Sequence, residues 1–266
     1  MDQPFAQSGF TLSAARPGIG AWAKAVLMLG MGGYFTFVIA NGTLDNYINL
    51  RYAWLVYLAA GLFLLVGGYL LFQLVTGGRA HARAAEAGGL GGFGLARAPV
   101  TWTHVAILSI PLALGLLIPS RPLTVDAIGA TGLSTSGSVA ANAANVFEIA
   151  PLNRTVLDWL RAFNNTSDPA EIVGEPADVL GFVYTEPGFA EGTFMVARFT
   201  ISCCVADSSA IGLPVAYDGA AALEQGAWVR IQGSMDVGEF RGDILPILRA
   251  QTLEVVPEPK NPYLYP

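Results

Sequence analysis

Three long apolar stretches occupy the first half of the chain, and short β-branched or aromatic runs mark the second. No charged residue falls within 25–44, 52–78 or 98–120. Each stretch supplies the roughly 17–25 mostly apolar residues that a helix needs to cross a bilayer core. The pattern predicts spans over 24–44, 53–76 and 101–119, the last with Pro111 inside it. Proline is tolerated in a membrane helix where neighbours satisfy the freed carbonyl. A cleaved signal peptide fits the first stretch poorly, because further apolar stretches follow and Val38-Ile-Ala-Asn-Gly42 lacks a small-x-small cleavage pattern.

From Arg121 to Asn145 the texture turns to Gly, Ser, Thr, Asn and Ala. Val156, Leu157, Leu160 and Phe163 then recur at helical spacing, predicting a short helix over 156–163 capped by Asn153. We read 121–175 as a linker carrying that helix. Beyond it, strands are predicted over 179–185, 194–202, 213–217, 228–235 and 244–256, each rich in β-branched or aromatic residues and bounded by Gly, Pro or acidic residues. Five strands in so short a segment suggest a small barrel over 176–266, and Gln225-Gly-Ala-Trp-Val-Arg-Ile-Gln-Gly233 resembles the fourth strand of OB-fold domains. The expected class is an α+β membrane protein, with three N-terminal transmembrane helices and an OB-like β domain.

Composition agrees: 53% of residues are hydrophobic, 13% are charged and mean hydropathy is +0.50, too apolar for one ordinary soluble domain. Charge then sets the expected orientation. Arg16 and Lys24 precede the first span, and Arg79, Arg83 and Arg97 fall in a Gly-rich loop over 77–97 between the second and third. The positive-inside rule puts the N-terminus and that loop in the cytoplasm, and everything after the third span outside the plasma membrane. Residues 121–266 carry eight basic against seventeen acidic side chains, a balance that repels nucleic acid and gathers cations.

Glycines mark where helices can approach closely: Gly30, Gly32 and Gly33 in the first span, and Gly61 and Gly68 on one face of the second with Gly67 beside it. Tyr47, Tyr52, Trp54 and Trp102 sit near the predicted span ends, as interfacial aromatics do.

The two cysteines, Cys203 and Cys204, are adjacent, and Asp207 follows three residues later. If the second strand runs through them, alternation puts Cys203 in the core with Phe199 and Ile201, and leaves Cys204 as the exposed thiol. A disulfide between neighbours is awkward, since trans-linked Cα atoms lie about 3.8 Å apart and ordinary disulfides need about 4.4–6.8 Å. Two thiolates and the Asp207 carboxylate could ligate zinc or another divalent metal, an incomplete set that needs further donors. Neither histidine, His81 nor His104, belongs to the segment after the spans, which excludes a Cys-His nucleophile there. No phosphate loop or hydrolase triad occurs either, and the chain reads as non-enzymatic. A thiol-redox module and an OB-type glycan or peptide binder, with Trp228 and Tyr217 as candidate platform aromatics, remain alternative readings.

Several stretches together resemble the YcgQ-like family of three-span permease subunits: Asn41-Gly-Thr-Leu-Asp-Asn-Tyr-Ile-Asn-Leu-Arg-Tyr-Ala53, Phe199-Thr-Ile-Ser-Cys-Cys-Val-Ala-Asp207 with Gly212-Leu-Pro-Val215, Trp228-Val-Arg-Ile-Gln-Gly233 and Asn261-Pro-Tyr-Leu-Tyr265. The resemblance implies an accessory subunit whose partner is a separate multi-span permease in the same lipid bilayer. Members can carry a His-rich loop between the second and third spans, which implies handling of a divalent metal; here that loop keeps only His81. The family motif can hold His at the position of Cys203, an exchange between two ligand types that favours coordination. It also covers Tyr47, Asn49 and Arg51, implying contact with the outer domain or the partner.

Overall fold

The computed structural model describes residues 19–76, 102–135 and 146–266. The expected Gly-rich loop over 77–97, with His81, lies outside the described residues. The chain divides into two compact units, one of residues 1–43 and 53–120, the other of residues 44–52 and 121–266.

The first unit is helical. Among the described residues, helices α1 (Ile19–Ala40) and α2 (Ala53–Val75) are the two that are long and apolar enough to cross a membrane. At 1.5 Å per residue they reach about 33 and 35 Å, against a hydrocarbon core of about 30 Å. The first begins and ends about four residues earlier than expected. It stops at Asn41-Gly42, where Gly42 adopts φ +64 and the Asn41 and Thr43 N–H groups return to the Phe37 and Val38 carbonyls. Helix α3 (Trp102–Leu117) contains Pro111 and has only 16 residues, about 24 Å, which is short for a full span.

Glycines set the packing within this unit, though not all of the expected ones. A Cβ on Gly32 would collide with Leu64 of α2, and one on Gly67 with the side chain and backbone of Leu29 in α1. Gly30 similarly faces Leu112, and Gly115 faces the Tyr34 ring. Among the described residues, Gly33, Gly61 and Gly68 have nothing within 4 Å of where a Cβ would stand. The packed face of α2 is therefore that of Gly67, rotated from the predicted Gly61/Gly68 face.

The second unit is a barrel. Its strands are β1 (Pro176–Tyr184), β2 (Thr193–Thr200), β3 (Ser209–Ala216), β4 (Trp228–Phe240) and β5 (Asp243–Val255). Antiparallel pairing joins β1 to β2, β2 to β3, β1 to β4 and β4 to β5. A two-residue parallel contact, Val215 with Leu248 and Ala216 with Arg249, closes β3 onto β5. The ring runs 1-2-3-5-4-1, so among the described residues no long strand edge is left open. Short pieces at Leu133–Ser134 and Tyr263–Leu264 extend it, pairing with β3 and β2.

Five strands form where five were predicted, but β4 runs five residues beyond its expected end. A bulge between Gln232 and Gly233 lets it continue. A Cβ at Gly233 would collide with the Arg249 carbonyl, so glycine is needed for that close approach. The β4–β5 hairpin turns on Arg241 (φ 58) and Gly242 (φ 90), two left-handed residues as a tight hairpin turn demands.

The short helix expected in a linker belongs to the barrel. Helix α4 (Val156–Asn165) buries Val156, Leu157, Trp159, Leu160 and Ala162 against Val179, Phe194, Ile211 and Leu213 inside the strands. Its cap is Thr155, not Asn153. The Thr155 hydroxyl accepts from the Asp158 N–H while the Asp158 carboxylate accepts from the Thr155 N–H at 3.0 Å, a reciprocal capping box.

Candidate metal centre and its connector

Strand β2 ends at Thr200, two residues short of its predicted end, and this decides how the cysteines are presented. Ile201 is the last residue buried in the core, and from Ser202 the chain leaves the sheet and turns through a 3-10 segment, Val205–Asp207. Strand alternation therefore does not reach the cysteines. Cys203 is exposed and Cys204 half-buried, the reverse of the expected arrangement.

Asp207 shapes the turn. Its carboxylate accepts from the Ser202 N–H at 3.0 Å and the Cys203 N–H at 2.7 Å, and its own N–H returns to the Cys204 carbonyl at 3.0 Å. Both thiols are free, with Sγ atoms 3.6 Å apart. One donor atom each from Cys203, Cys204 and Asp207 lie within 4.8 Å of one another. The hydrogen bond to Asp207, together with Cys204, pushes the Cys203 thiol up to about 11. Burial alone would raise Asp207, yet hydrogen bonds from the Cys203 thiol and from the backbone N–H groups of the turn outweigh it and hold the carboxyl below its ordinary value. The proton thus sits on sulfur and the negative charge on the carboxylate, and a bound cation would reverse the first of these.

The other half of this site comes from residues 44–52, between α1 and α2 in sequence. Ile48 bridges Cys204 in antiparallel fashion, the Asn49 N–H donates to the Cys203 carbonyl at 3.1 Å, and the Val205 N–H donates to the Tyr47 carbonyl at 2.9 Å. Asn49 is buried, and its side-chain amide reaches the carbonyls of Ser202 at 3.0 Å and Ile201 at 3.4 Å. Its Oδ1 accepts from the Arg51 N–H at 2.9 Å. The motif residues Tyr47 and Asn49 are thereby brought to the cysteine turn. Arg51 contributes its backbone, and its side chain is exposed.

Arg198, a residue the sequence analysis did not single out, secures the neighbouring C-terminal segment. Buried on β2, its guanidinium donates to the carbonyls of Pro262 at 2.9 Å, Asn261 at 3.1 Å and Leu180 at 3.3 Å, and lies 5.0 Å from the centre of the Trp228 ring. Burial lowers it to about 10. A lone arginine inside the apolar run 194–201 was the available signal. Trp228 also packs edge-on against Phe182 at 5.7 Å, and Tyr217 lies half-buried against the core, so neither presents a free aromatic platform.

Comparison with known proteins gives a consistent family assignment. The DUF1980 N-terminal domain matches residues 23–134 and the DUF1980 C-terminal domain residues 142–266. A Streptococcus mutans protein named "Putative two-component membrane permease complex subunit" is 25% identical over 90% of this chain and 98% of its own length. UPF0703 protein YcgQ of Bacillus subtilis is 25% identical over 36% of this chain and 35% of its own. Among solved structures, the N-terminal domain of PriB from Thermoanaerobacter tencongensis (17% identity, 31% of this chain, 97% of that one, TM-score 0.22) and a small single-stranded DNA-binding protein from Streptomyces coelicolor (15% identity, 31% and 93%, TM-score 0.23) are similar to parts of the chain. Likenesses this low say nothing of function.

Proposed function

The chain belongs to the DUF1980 family, and from that premise we propose that it is a non-enzymatic accessory subunit of a membrane permease, presenting an open site for a thiophilic divalent cation. In this reading α1, α2 and the shorter α3 cross the plasma membrane, and an OB-like barrel lies on the outer side. The observation that carries the cation reading is the convergence of the Cys203 and Cys204 sulfurs and an Asp207 oxygen within 4.8 Å. At about 2.3 Å from tetrahedral zinc, two thiolates would stand roughly 3.8 Å apart; here the sulfurs are separated by 3.6 Å. The sulfur pair therefore fits zinc. The cation would be held by these three residues and would act as bound cargo or signal, with any further ligand supplied from elsewhere.

The partner follows from the relative named as a subunit of a two-component permease complex. Neither α1 nor α2 carries an acidic residue, and Lys24 is the one basic residue within them, so the helices offer few of the groups that line an ion path. Transport is assigned to the second subunit. The thiol-redox reading would place exchange on Cys204, which is half-buried, while the exposed Cys203 thiol is held up at about 11, away from the thiolate that exchange needs.

The test is metal content of the full chain purified in detergent under reducing conditions, beside Cys203→Ser and Cys204→Ser. Stoichiometric zinc in the wild type, lost from folded variants, is the expected result. A folded wild type that takes up no zinc on titration overturns the cation reading.

A further inference from the structure

The peptide that carries the candidate site is gripped on both edges. Asn49 takes three consecutive carbonyls, of Ile201 and Ser202 through its side chain and of Cys203 through its backbone N–H. Asp207 takes the N–H groups of Ser202 and Cys203. One of these clamps is also a candidate ligand, and the other lies in the connector between α1 and α2.

We infer that cation occupancy of the Cys203–Cys204–Asp207 turn is coupled to the connector, residues 44–52, with Asn49 as the positioning residue; the inference rests on the cation reading above. A cation that engages the Asp207 carboxylate and deprotonates the thiols changes what holds peptide 202–203 on its N–H edge. The opposite edge of that peptide belongs to Asn49, which is buried and has its side-chain amide donor and its carbonyl oxygen engaged, the latter by the Arg51 N–H. Loop and connector share two further backbone links, Ile48 with Cys204 and Val205 with Tyr47. Occupied and empty turns thus place different demands on the connector, and by linkage whatever orders the connector raises cation affinity by the same factor. Residues 44–52 continue directly into Ala53, the first residue of α2, so the device would report an outer cation to a membrane helix.

The experiment is amide hydrogen exchange on the full chain in detergent, with zinc alone as the probe and magnesium as the control ion, alongside a zinc-binding isotherm. Zinc, and not magnesium, is expected to slow exchange of the Asn49 and Val205 amides at least fivefold. Cys204→Ser should abolish that slowing. Asn49→Ala, with both thiols intact, should bind zinc about tenfold more weakly and show no zinc-dependent protection of 44–52. Stoichiometric zinc binding with unchanged exchange in 44–52 overturns the coupling and leaves the site standing. Failure of the folded wild type to bind zinc overturns the site and the coupling with it. Should Asn49→Ala fail to fold, the wild-type exchange difference still decides.

Discussion

The side-chain amide of Asn49 donates to the Ser202 carbonyl at 3.0 Å, although 153 residues separate them in sequence. That bond ties the connector between two apolar helices to the turn holding both cysteines.

Asn49→Ala leaves the Ile201 and Ser202 carbonyls without that donor, at a cost of about 1–3 kcal/mol. Asn49→Asp is expected to be worse, because it turns an acceptor toward two acceptors. Thermal unfolding of the full chain checks the order, and faster alkylation of half-buried Cys204 in both variants checks that the turn is what loosens.

The Cys203 thiol is held at about 11, first by Asp207 and then by Cys204. A carboxylate beside a thiol disfavours the thiolate, so removing its charge lowers the thiol toward its ordinary value. In metal-free protein, Asp207→Asn should speed iodoacetamide labelling of Cys203 at pH 8 by about tenfold, after allowing for the weaker nucleophile. Labelling rate against pH is the measurement; an unchanged profile means that Asp207 does not control the thiol.

Among the described residues Arg198 has no carboxylate partner, and it instead gathers carbonyls from residues 261–263 and from Leu180. Arg198→Met should destabilise the barrel by about 3 kcal/mol, as several acceptors lose a charged donor. Arg198→Lys should not rescue it, because a point charge cannot span the same carbonyls as a planar fork. Denaturant unfolding and protease cleavage near Pro262 would report both effects.

Gly32→Leu and Gly67→Leu should separate α1 from α2, since each places a side chain where Leu64 or Leu29 already stands. Gly61→Leu and Gly68→Leu meet open space and should leave that helix pair intact. Disulfide trapping between cysteines introduced on α1 and α2 distinguishes the two classes.

Much of the barrel was legible because β-branched and aromatic runs are local, as in Phe194 to Thr200 along β2, where every residue is buried. The capping box was legible too, as Thr155 with an acid three residues on, yet Asn153 resembled a cap as well. The faces of Cys203 and Cys204 were not. They depend on where β2 stops, and the turn that follows is organised by the Asp207 carboxylate taking the Ser202 and Cys203 N–H groups. Nor could any local pattern disclose the part of Asn49, whose partners lie in a different segment. The family resemblance marked it as a motif residue without supplying a contact. On α2, Gly61 and Gly68 suggested a face by spacing alone, whereas the packed side is set by what Leu29 and Leu64 fill.

The barrel's discontinuity in sequence has a consequence for its synthesis. Residues 44–52 leave the ribosome long before the Cys203 turn they pair with, and Arg198 finds its carbonyls only once residues 261–263 have been made. The early peptide must wait, unpaired, through the translation of α2 and everything up to the cysteines. A fragment beginning at Arg121 would lack it altogether. Such a fragment would expose the Ile201, Ser202 and Cys203 carbonyls that Asn49 otherwise covers, so isolated expression of that region would yield a domain with its cysteine turn unsupported.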